Sequence, residues 1–296
     1  MIKNKVVFLI FCLFAALTLL CLQGVFYQYL KSRGIRFADG DPKALTMARL
    51  QSVPGTRAHC VIMGSSMTER FSSAGDILVI GMPGNCFTSA WRRYIPECRI
   101  EGERILLLEG NIINNDTENL ALLDATKERF FLMTEGSSHF SHEAKPTSLL
   151  LSYLLMKAEP HIAEWRNNTS KTFTSEVKPE VVSMSICTPT EREMAILSKR
   201  IDAIREMKMQ GYHPCLVFYP TARITEAMGR KEDLHVLELC RYVAAETGIP
   251  LLNYYDAEFR DQLKFTDAAH LSSREESTSI FRNTMVRDAK KACGLK

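Results

Sequence analysis

One short string of the sequence places a serine where nucleophilic chemistry is expected. Ser66 ends the string Gly64-Ser65-Ser66, which directly follows an apolar run. A serine at a strand-to-helix turn projects its hydroxyl beyond the carboxyl edge of a parallel sheet, where open α/β sheets place ligands. Its backbone N–H would then belong to a helix start, whose partial positive charge favours a developing oxyanion. The alternative is helix capping, because Ser66-x-x-Glu69 also matches a capping box.

A second string could supply the base that a serine nucleophile needs. Asp267 precedes His270 by three residues, and no other of the seven histidines has an aspartate at that spacing. Such a carboxylate can hold the imidazole Nδ1–H and leave Nε2 free to take a proton from a serine. The alternative is a helix cap at Thr266 or Asp267 with an incidental histidine.

Two further strings could stabilise negative charge on a reacting oxygen. Asn111 follows a leucine-rich run, and an asparagine amide that donates to a tetrahedral intermediate contributes about 3–4 kcal/mol in other enzymes. Gly84 lies in the glycine-containing segment 81–85, where a backbone N–H can approach a reacting oxygen. Both strings are also ordinary turn chemistry. A nucleotide-binding loop at 81–85 is a further alternative, although its spacing is not G-x-G-x-x-G.

The elements that must position these residues follow from the hydrophobic pattern. From residue 59 onward, short apolar runs alternate with helical patterns, which is typical of an α/β protein with a parallel sheet covered by helices. The predicted strands are His59–Met63, Ile77–Ile80, Ile105–Leu108, Cys215–Tyr219 and Pro250–Tyr254. The clearest predicted helices are Glu191–Gln210 and Glu232–Thr247, each followed by a glycine.

The amino-terminal segment reads as a membrane anchor. Two lysines precede an apolar run from Val6 to Leu22 that continues to Tyr27. At ~1.5 Å per residue this run comes close to the ~30 Å of a bilayer core, and it is too long for most signal-peptide cores. We therefore predict an uncleaved anchor over residues 1–30, with a cleaved signal peptide as the alternative. The short basic start favours a cytoplasmic amino terminus and a large domain outside.

Composition restricts the function classes. The chain has 296 residues, 46% apolar and 24% charged, with a net charge of +3. These values exclude a disordered, collagen-like or nucleic-acid-coating protein. One α/β domain is predicted over 58–290, with an insertion at about 117–189 that fits the strand–helix rhythm less well. The insertion repeats a Gly-Ser-Ser string at 136–138, which is interpreted as a polar loop rather than a second site or a metal pair.

Nine cysteines are too sparse for a disulfide scaffold. Seven lie beyond the apolar start, and an odd number cannot all pair within one chain. Cys60 and Cys215 lie in apolar runs and are expected in the core. Cys86 and Cys98 flank a loop and form the favoured pair if the compartment is oxidising.

The joint order of the four strings resembles the ordered blocks of the SGNH (GDSL-like) hydrolase superfamily, over about residues 58–285. The resemblance implies a flavodoxin-like three-layer α/β/α fold, with Ser66 as nucleophile, His270 as base and Asp267 as its orienting carboxylate. It further implies an oxyanion hole made of the backbone N–H groups of Ser66 and Gly84 and the side chain of Asn111. No cofactor or metal is implied.

The sequence departs from the family pattern at three places. Ser65 stands where the family has aspartate, Ile112 stands where an aspartate often follows the block asparagine, and the asparagine that usually heads the glycine block is missing. The Gly-Ser-Ser form with an amino-terminal anchor is more similar to the membrane-anchored branch that works on cell-envelope polymers, such as teichoic-acid D-alanyl transfer proteins and polysaccharide O-acetyltransferases.

This branch implies a serine O-acyltransferase or esterase acting on an acylated polysaccharide or similar ester. An integral-membrane acyltransferase would be a natural partner, and nucleic acid would not. Arg223, after the fourth predicted strand, is a candidate contact for an anionic or sugar substrate, with a surface salt bridge as the alternative. The alternative function is a catalytically silent envelope protein that keeps the fold to bind glycan or to scaffold a membrane acyltransferase.

Overall fold

The structure, a computed structural model, describes the chain in several stretches: residues 2–32, 42–116, 118–127, 150, 188–255, 258–267, 269–272 and 276–295. The chain divides into two units, of which the first is Met1–Ser52 with Thr126–Asn168 and the second is Val53–Ala125 with Thr169–Lys296. All strands and all candidate site residues belong to the second unit. Most of the predicted insertion, including the Gly-Ser-Ser string at 136–138, lies outside the described residues.

Two helices of the first unit are described, α1 (Ile2–Ser32) and α2 (Pro42–Gln51). Within α1, the 23 residues Lys5–Tyr27 have a mean hydropathy of 2.7. Thr18 interrupts the apolar run, but its hydroxyl donates to the carbonyl of Phe14 at 2.9 Å, which satisfies it within the helix. The helix is long and apolar enough to cross a membrane, a test that a signal sequence near the amino terminus also passes.

The second unit is built on a parallel sheet of five strands. They are β1 (Arg57–Gly64), β2 (Ile77–Gly81), β3 (Arg99–Glu109), β4 (His213–Phe218) and β5 (Leu251–Asn253). The spatial order is β2-β1-β3-β4-β5, and every neighbouring pair is parallel. This is a doubly wound order whose direction reverses between β1 and β3, and ligands of such sheets bind at that switch point.

All five predicted strands are present, but β3 begins at Arg99 rather than Ile105. Its first residues are charged and partly exposed, so they carry no apolar signal. The register against β1 shifts between Ala58 and Cys60, and Gly102 has φ +63° in the same stretch. The residues of β3 before Ile105 therefore form an irregular, partly exposed start to a strand that is otherwise buried.

Helices cover the sheet, and those described in the second unit are α3 (Phe87–Tyr94), α4 (Leu120–Ala125), α5 (Glu191–Met209), α6 (Arg223–Thr247) and α7 (Glu276–Ala292). Helix α5 starts at a capping box between Thr190 and Glu193. Helix α6 ends at Gly248, in the left-handed region at φ 61°, as its glycine predicts. It begins at Arg223, nine residues before the predicted start.

The two faces of the sheet bury different partners. Alternate side chains of β3, Ile105 and Leu107, join a core cluster with Phe281 and Met285 of α7. On the other face α5 is tied to its neighbours, because Arg200 donates to the Thr88 hydroxyl of α3 and Lys208 donates to the Thr247 carbonyl of α6. The sheet is thus packed between two helical layers, consistent with a three-layer α/β fold.

The pairing of Cys86 with Cys98, predicted for an oxidising compartment, is not formed in the structure, where both are free thiols. Cys86 is buried at the amino end of α3, while the Cys98 sulfur contacts the carbonyl of Val53 at 3.8 Å. Cys86 and Cys98 flank the same loop in the sequence, but their sulfur atoms are not bonded to each other in the structure. Cys60 and Cys215 are buried in the core, as predicted.

Candidate active site

The serine string leaves the sheet at the carboxyl end of β1. Ser66 lies in a turn after Gly64, and the chain then makes a 3₁₀ helix of only three residues, Thr68–Arg70. The predicted longer helix is absent, so Ser66 does not lie at the start of an α-helix. The capping-box alternative is not formed either, because the 3₁₀ helix is capped at Met67 without a side-chain hydrogen bond.

The hydroxyl of Ser66 instead meets the predicted base. Ser66 Oγ lies 2.8 Å from His270 Nε2, across 204 residues of sequence. His270 Nδ1 lies 2.9 Å from both carboxylate oxygens of Asp267. A serine hydroxyl, an imidazole and a carboxylate are therefore connected in the order that proton transfer from serine to histidine requires.

A small hairpin carries the histidine and the aspartate. Its stem is closed by backbone hydrogen bonds from Thr266 N–H to the His270 carbonyl and from Ser272 N–H to the Lys264 carbonyl, each at 2.8 Å. Leu271, next to the histidine, is only 3% exposed and belongs to the core cluster that contains α7. The hairpin is thus anchored in the core while its tip reaches Ser66.

The carboxylate at the hairpin tip is held in its ionised form. Asp267 Oδ1 accepts the backbone N–H groups of Ala269 at 2.9 Å and His270 at 2.8 Å. Burial raises the pKa of Asp267, but these two hydrogen bonds and the one from the imidazole outweigh it, and the net pKa lies below the ordinary value. Asp267 can therefore both orient the imidazole and stabilise its protonated form.

A second carboxyl group, on Glu109, lies directly beneath the serine turn. Glu109 is the last residue of β3 and is completely buried. Its Oε2 accepts the backbone N–H of Ser65 at 2.7 Å and, from Thr68, the N–H at 3.2 Å and the hydroxyl at 2.7 Å. Its Oε1 lies 2.5 Å from the Ser65 hydroxyl. Glu109 thus accepts hydrogen bonds from the backbone on both sides of Ser66.

The close approach of Glu109 depends on a glycine. A Cβ placed on Gly64 would lie 2.3 Å from both Glu109 Oε2 and the Thr68 hydroxyl. Burial raises the pKa of Glu109, and the hydrogen bonds from Ser65 and Thr68 lower it only in part. Sequence reasoning missed this residue, although one signal was present, namely a carboxyl group directly after the apolar, buried run Ile105–Leu108.

Asn111 lies at the same edge of the sheet and is tied to the neighbouring strand. Its amide Nδ2 donates to the backbone carbonyl of Tyr219 at 3.0 Å, and its Oδ1 accepts the backbone N–H of Tyr219 at 2.7 Å. These two bonds fix which side of the amide is oxygen. The Tyr219 hydroxyl in turn lies 3.1 Å from the Thr68 hydroxyl, so the ends of β3 and β4 are joined to the serine turn.

Gly84 occupies a tight turn after β2. Gly84 has φ +75°, Pro83 precedes it, and the N–H of Asn85 donates to the carbonyl of Met82 at 2.9 Å, as in a type II turn. The turn adjoins the serine turn, because the N–H of Met82 donates to the carbonyl of Gly64 at 2.8 Å. Ser66, Gly84 and Asn111 therefore follow the carboxyl ends of three adjacent strands.

Arg223, the predicted substrate contact, is the first residue of α6, and its side chain lies outside the described part of the chain. A cavity of about 270 Å³ lies at this end of β4 and is lined by Thr221, Arg260, Asp261, Leu263 and Phe265. Phe265 pairs with Leu271 in the stem of the histidine hairpin, so the cavity borders the element that carries His270.

Comparison with known proteins found no match, since no family model, no curated protein and no solved structure matches the chain. The site is therefore interpreted from its own geometry. Within the described residues, no group of three or more His, Cys, Asp or Glu side chains is placed to hold a metal ion.

Proposed function

We propose that the chain is a membrane-anchored serine acyl-transfer enzyme, an O-acyltransferase or esterase of the SGNH type. The observation that carries the proposal is the contact of Ser66 Oγ with His270 Nε2 at 2.8 Å, together with the contact of His270 Nδ1 with Asp267 at 2.9 Å. Hydrogen-bond reach between nucleophile and base, with the base oriented by a third group, is the geometric requirement for this chemistry.

The proposed reaction begins with attack of Ser66 Oγ on an ester carbonyl while His270 Nε2 accepts the hydroxyl proton. The tetrahedral intermediate collapses, His270 returns the proton to the leaving alcohol, and the acyl group remains on Ser66. A sugar hydroxyl or a water then gives its proton to His270 and attacks the acyl carbon. This second tetrahedral intermediate collapses, the bond to Ser66 Oγ breaks, and His270 returns the proton to Ser66. Asp267 holds the imidazole and stabilises its positive charge in both halves.

The proposed oxyanion hole combines the backbone N–H groups of Ser66 and Gly84 with the side chain of Asn111. Gly84 has no side chain of its own, and the type II turn places its backbone after the carboxyl end of β2. The Asn111 amide has two N–H groups, and one bond to Tyr219 leaves the second for an oxyanion. Because Tyr219 fixes the amide, this donor would be pre-oriented for charge that develops during the reaction.

The position of the site in the sheet and the apolar helix α1 support an envelope polysaccharide as the proposed substrate. The strand order β2-β1-β3-β4-β5 is that of flavodoxin-like sheets, and the proposed site lies at the carboxyl edge next to the switch point. Helix α1 supports a single-pass anchor, with the α/β domain proposed on the extracytoplasmic side. From there the enzyme would act on an acylated envelope polysaccharide, with an integral-membrane acyltransferase as a source or recipient of acyl groups.

The alternative, a silent protein that binds glycan or scaffolds an acyltransferase, would not need a hydroxyl–imidazole contact. A separation well beyond ~3.2 Å between Ser66 Oγ and His270 Nε2 would have favoured it. The 2.8 Å separation and the restrained carboxylate of Asp267 favour the enzyme instead.

A fluorophosphonate probe, which reacts with activated serines, tests the proposal on the full chain in detergent. Labelling is expected on the tryptic peptide 58–70, which contains both Ser65 and Ser66. Ser66→Ala should abolish it. Ser65→Ala is the matched variant and should retain labelling, because the Ser65 hydroxyl faces Glu109 rather than His270.

Unchanged labelling in Ser66→Ala would overturn the assignment of the nucleophile. A second measurement separates the two kinds of acyl transfer, using p-nitrophenyl acetate with and without an oligosaccharide acceptor. A transferase should deliver the acetyl group to the sugar, and an esterase should release acetate in both cases.

A further inference from the structure

Two cysteines outside the candidate active site meet between β4 and α7. Cys215 lies on β4, and Cys293 is the first residue after α7. Their Sγ atoms are 3.3 Å apart, across 78 residues of sequence, and both are free thiols. Cys215 is completely buried, whereas Cys293 is partly exposed.

The placement of the two sulfurs suits a covalent bond. A disulfide has an S–S distance of about 2.0 Å, so the two atoms need to approach by about 1.3 Å. Cys293 follows the last residue of its helix, and its neighbour Gly294 has φ +68°, so the backbone leaves the helix at this point. Small movements at a helix end are cheaper than movements within a packed strand.

We propose that Cys215 and Cys293 form a disulfide when the protein meets a disulfide oxidant, and that this bond fastens α7 to β4. Cys293 is the accessible thiol and attacks first. Its thiolate displaces one thiol from a small-molecule or protein disulfide and forms a mixed disulfide. Cys215 then attacks the Cys293 sulfur and releases the second thiol, so one disulfide is consumed and two thiols are produced.

The environment of the pair supports this order of attack. The hydrogen bond with Cys215 lowers the pKa of the Cys293 thiol, whereas the same contact and burial raise the pKa of the Cys215 thiol. A thiol with a lowered pKa and solvent access is the more reactive partner in exchange. Cys60, buried at 2% exposure in the same core cluster, has no sulfur contact of this kind among the described residues and serves as a comparison.

Helix α7, which the disulfide would link to β4, packs behind the candidate active site. Phe281 of α7 packs against Tyr219, with ring centroids 6.5 Å apart, and Tyr219 holds Asn111. A covalent link between α7 and the sheet would therefore restrain this core without touching Ser66 or His270. The proposal does not depend on the proposed function, because the thiols take no part in acyl transfer.

Peptide mapping of the full chain in detergent tests the bond. The native protein is incubated with oxidised glutathione, its remaining thiols are blocked in denaturant, and it is digested without reduction. Trypsin releases Cys215 in the peptide 209–223 and Cys293 in the peptide 292–296. We expect these two peptides to appear cross-linked, lighter than their sum by two hydrogen atoms. The cross-link should persist in Cys60→Ala and vanish in Cys293→Ser.

Two results would overturn the proposal. One is recovery of both peptides with blocked thiols after oxidation, and the other is a cross-link from Cys293 to a different cysteine. Thermal unfolding tests the fastening itself. Closing a loop of this length should raise Tm by about 10 °C in the oxidised protein relative to the reduced protein. The rise should be absent in Cys293→Ser, and a cross-linked protein with an unchanged Tm would contradict the role assigned to the bond.

Discussion

Replacement of Glu109 by leucine removes the acceptor beneath the serine turn while it keeps an apolar side chain of similar length. Four polar groups contact the carboxyl group, two from Ser65 and two from Thr68. The Thr68 hydroxyl can turn to Tyr219, which is 3.1 Å away. The two backbone N–H groups have no such freedom, and each buried unpaired donor costs about 1–3 kcal/mol.

Glu109→Leu should therefore lower the free energy of unfolding by about 2–6 kcal/mol. For a domain of this size, that corresponds to a fall in Tm of about 4–24 °C. The same loss should slow fluorophosphonate labelling, because the backbone on both sides of Ser66 is no longer held. Glu109→Gln is the matched control. Its carbonyl oxygen can take the three donors that Oε2 accepts, while its amide N–H₂ faces the Ser65 hydroxyl.

Glu109→Leu and Glu109→Gln also test whether the Glu109 carboxyl is protonated in the folded protein. Burial raises the pKa of Glu109 above its ordinary value of 4.5, so the folded chain keeps this proton when the unfolded chain has released it. The stability that Glu109 contributes is complete below that ordinary value and declines as pH rises towards the folded pKa. Glu109→Gln lacks this decline, so its stability relative to the wild type should rise with pH over this range.

Thermal unfolding from pH 4 to 8, with probe labelling at each pH, measures both effects. Glu109→Gln should stay within about 1 kcal/mol of the wild type near the acid end of this range. The reasoning fails if Glu109→Leu is as stable as the wild type, or if Glu109→Gln and Glu109→Leu are equally destabilised at every pH. Either result would mean that the four hydrogen bonds do not hold the serine turn.

Three other substitutions test the remaining contacts. Asp267→Asn should lower the labelling rate by up to about 10⁴-fold with little change in Tm, because the His270 imidazole loses its charged partner; an unchanged rate would argue against a role for the carboxylate. Asn111→Leu leaves the backbone N–H and C=O of Tyr219 unpaired and should cost about 2–6 kcal/mol by thermal unfolding, and a neutral effect would show that these groups find other partners. Gly64→Ala should abolish labelling and lower Tm, since its Cβ would lie 2.3 Å from two oxygens; normal labelling would mean that the turn can move aside.

The sequence pattern located the carboxyl ends of the strands well. Each predicted strand ends within one residue of the observed one, because glycine, proline or a polar residue stops the apolar run near the point where the chain leaves the sheet. These ends are where Ser66, Gly84 and Asn111 lie, so the predicted site residues are found at one edge. The amino ends were less well predicted, and the lead-in of β3 was missed because its residues are charged.

Contacts between distant segments could not be predicted. The burial of Glu109 depends on the turn after β1 crossing the end of β3, and no local pattern encodes that crossing. The Cys215–Cys293 contact likewise joins a strand to the end of a helix 78 residues later. The Asp267–His270 contact was predictable because its spacing is local, but the structure places it at the tip of a hairpin rather than on a helix.

The long separation between Ser66 and His270 has a consequence for synthesis of the protein. Chains are made from the amino terminus at about 5–20 residues per second, so His270 is added about 10–40 s after Ser66. Pairing of β3 with β4 must also close a loop from Ile105 to His213 before the second half of the sheet can form. During that interval β1, β2 and β3 can assemble around the serine turn, but the hydroxyl has no base. On the proposed function, such a chain would remain inert towards esters until the hairpin that carries His270 had been made and docked.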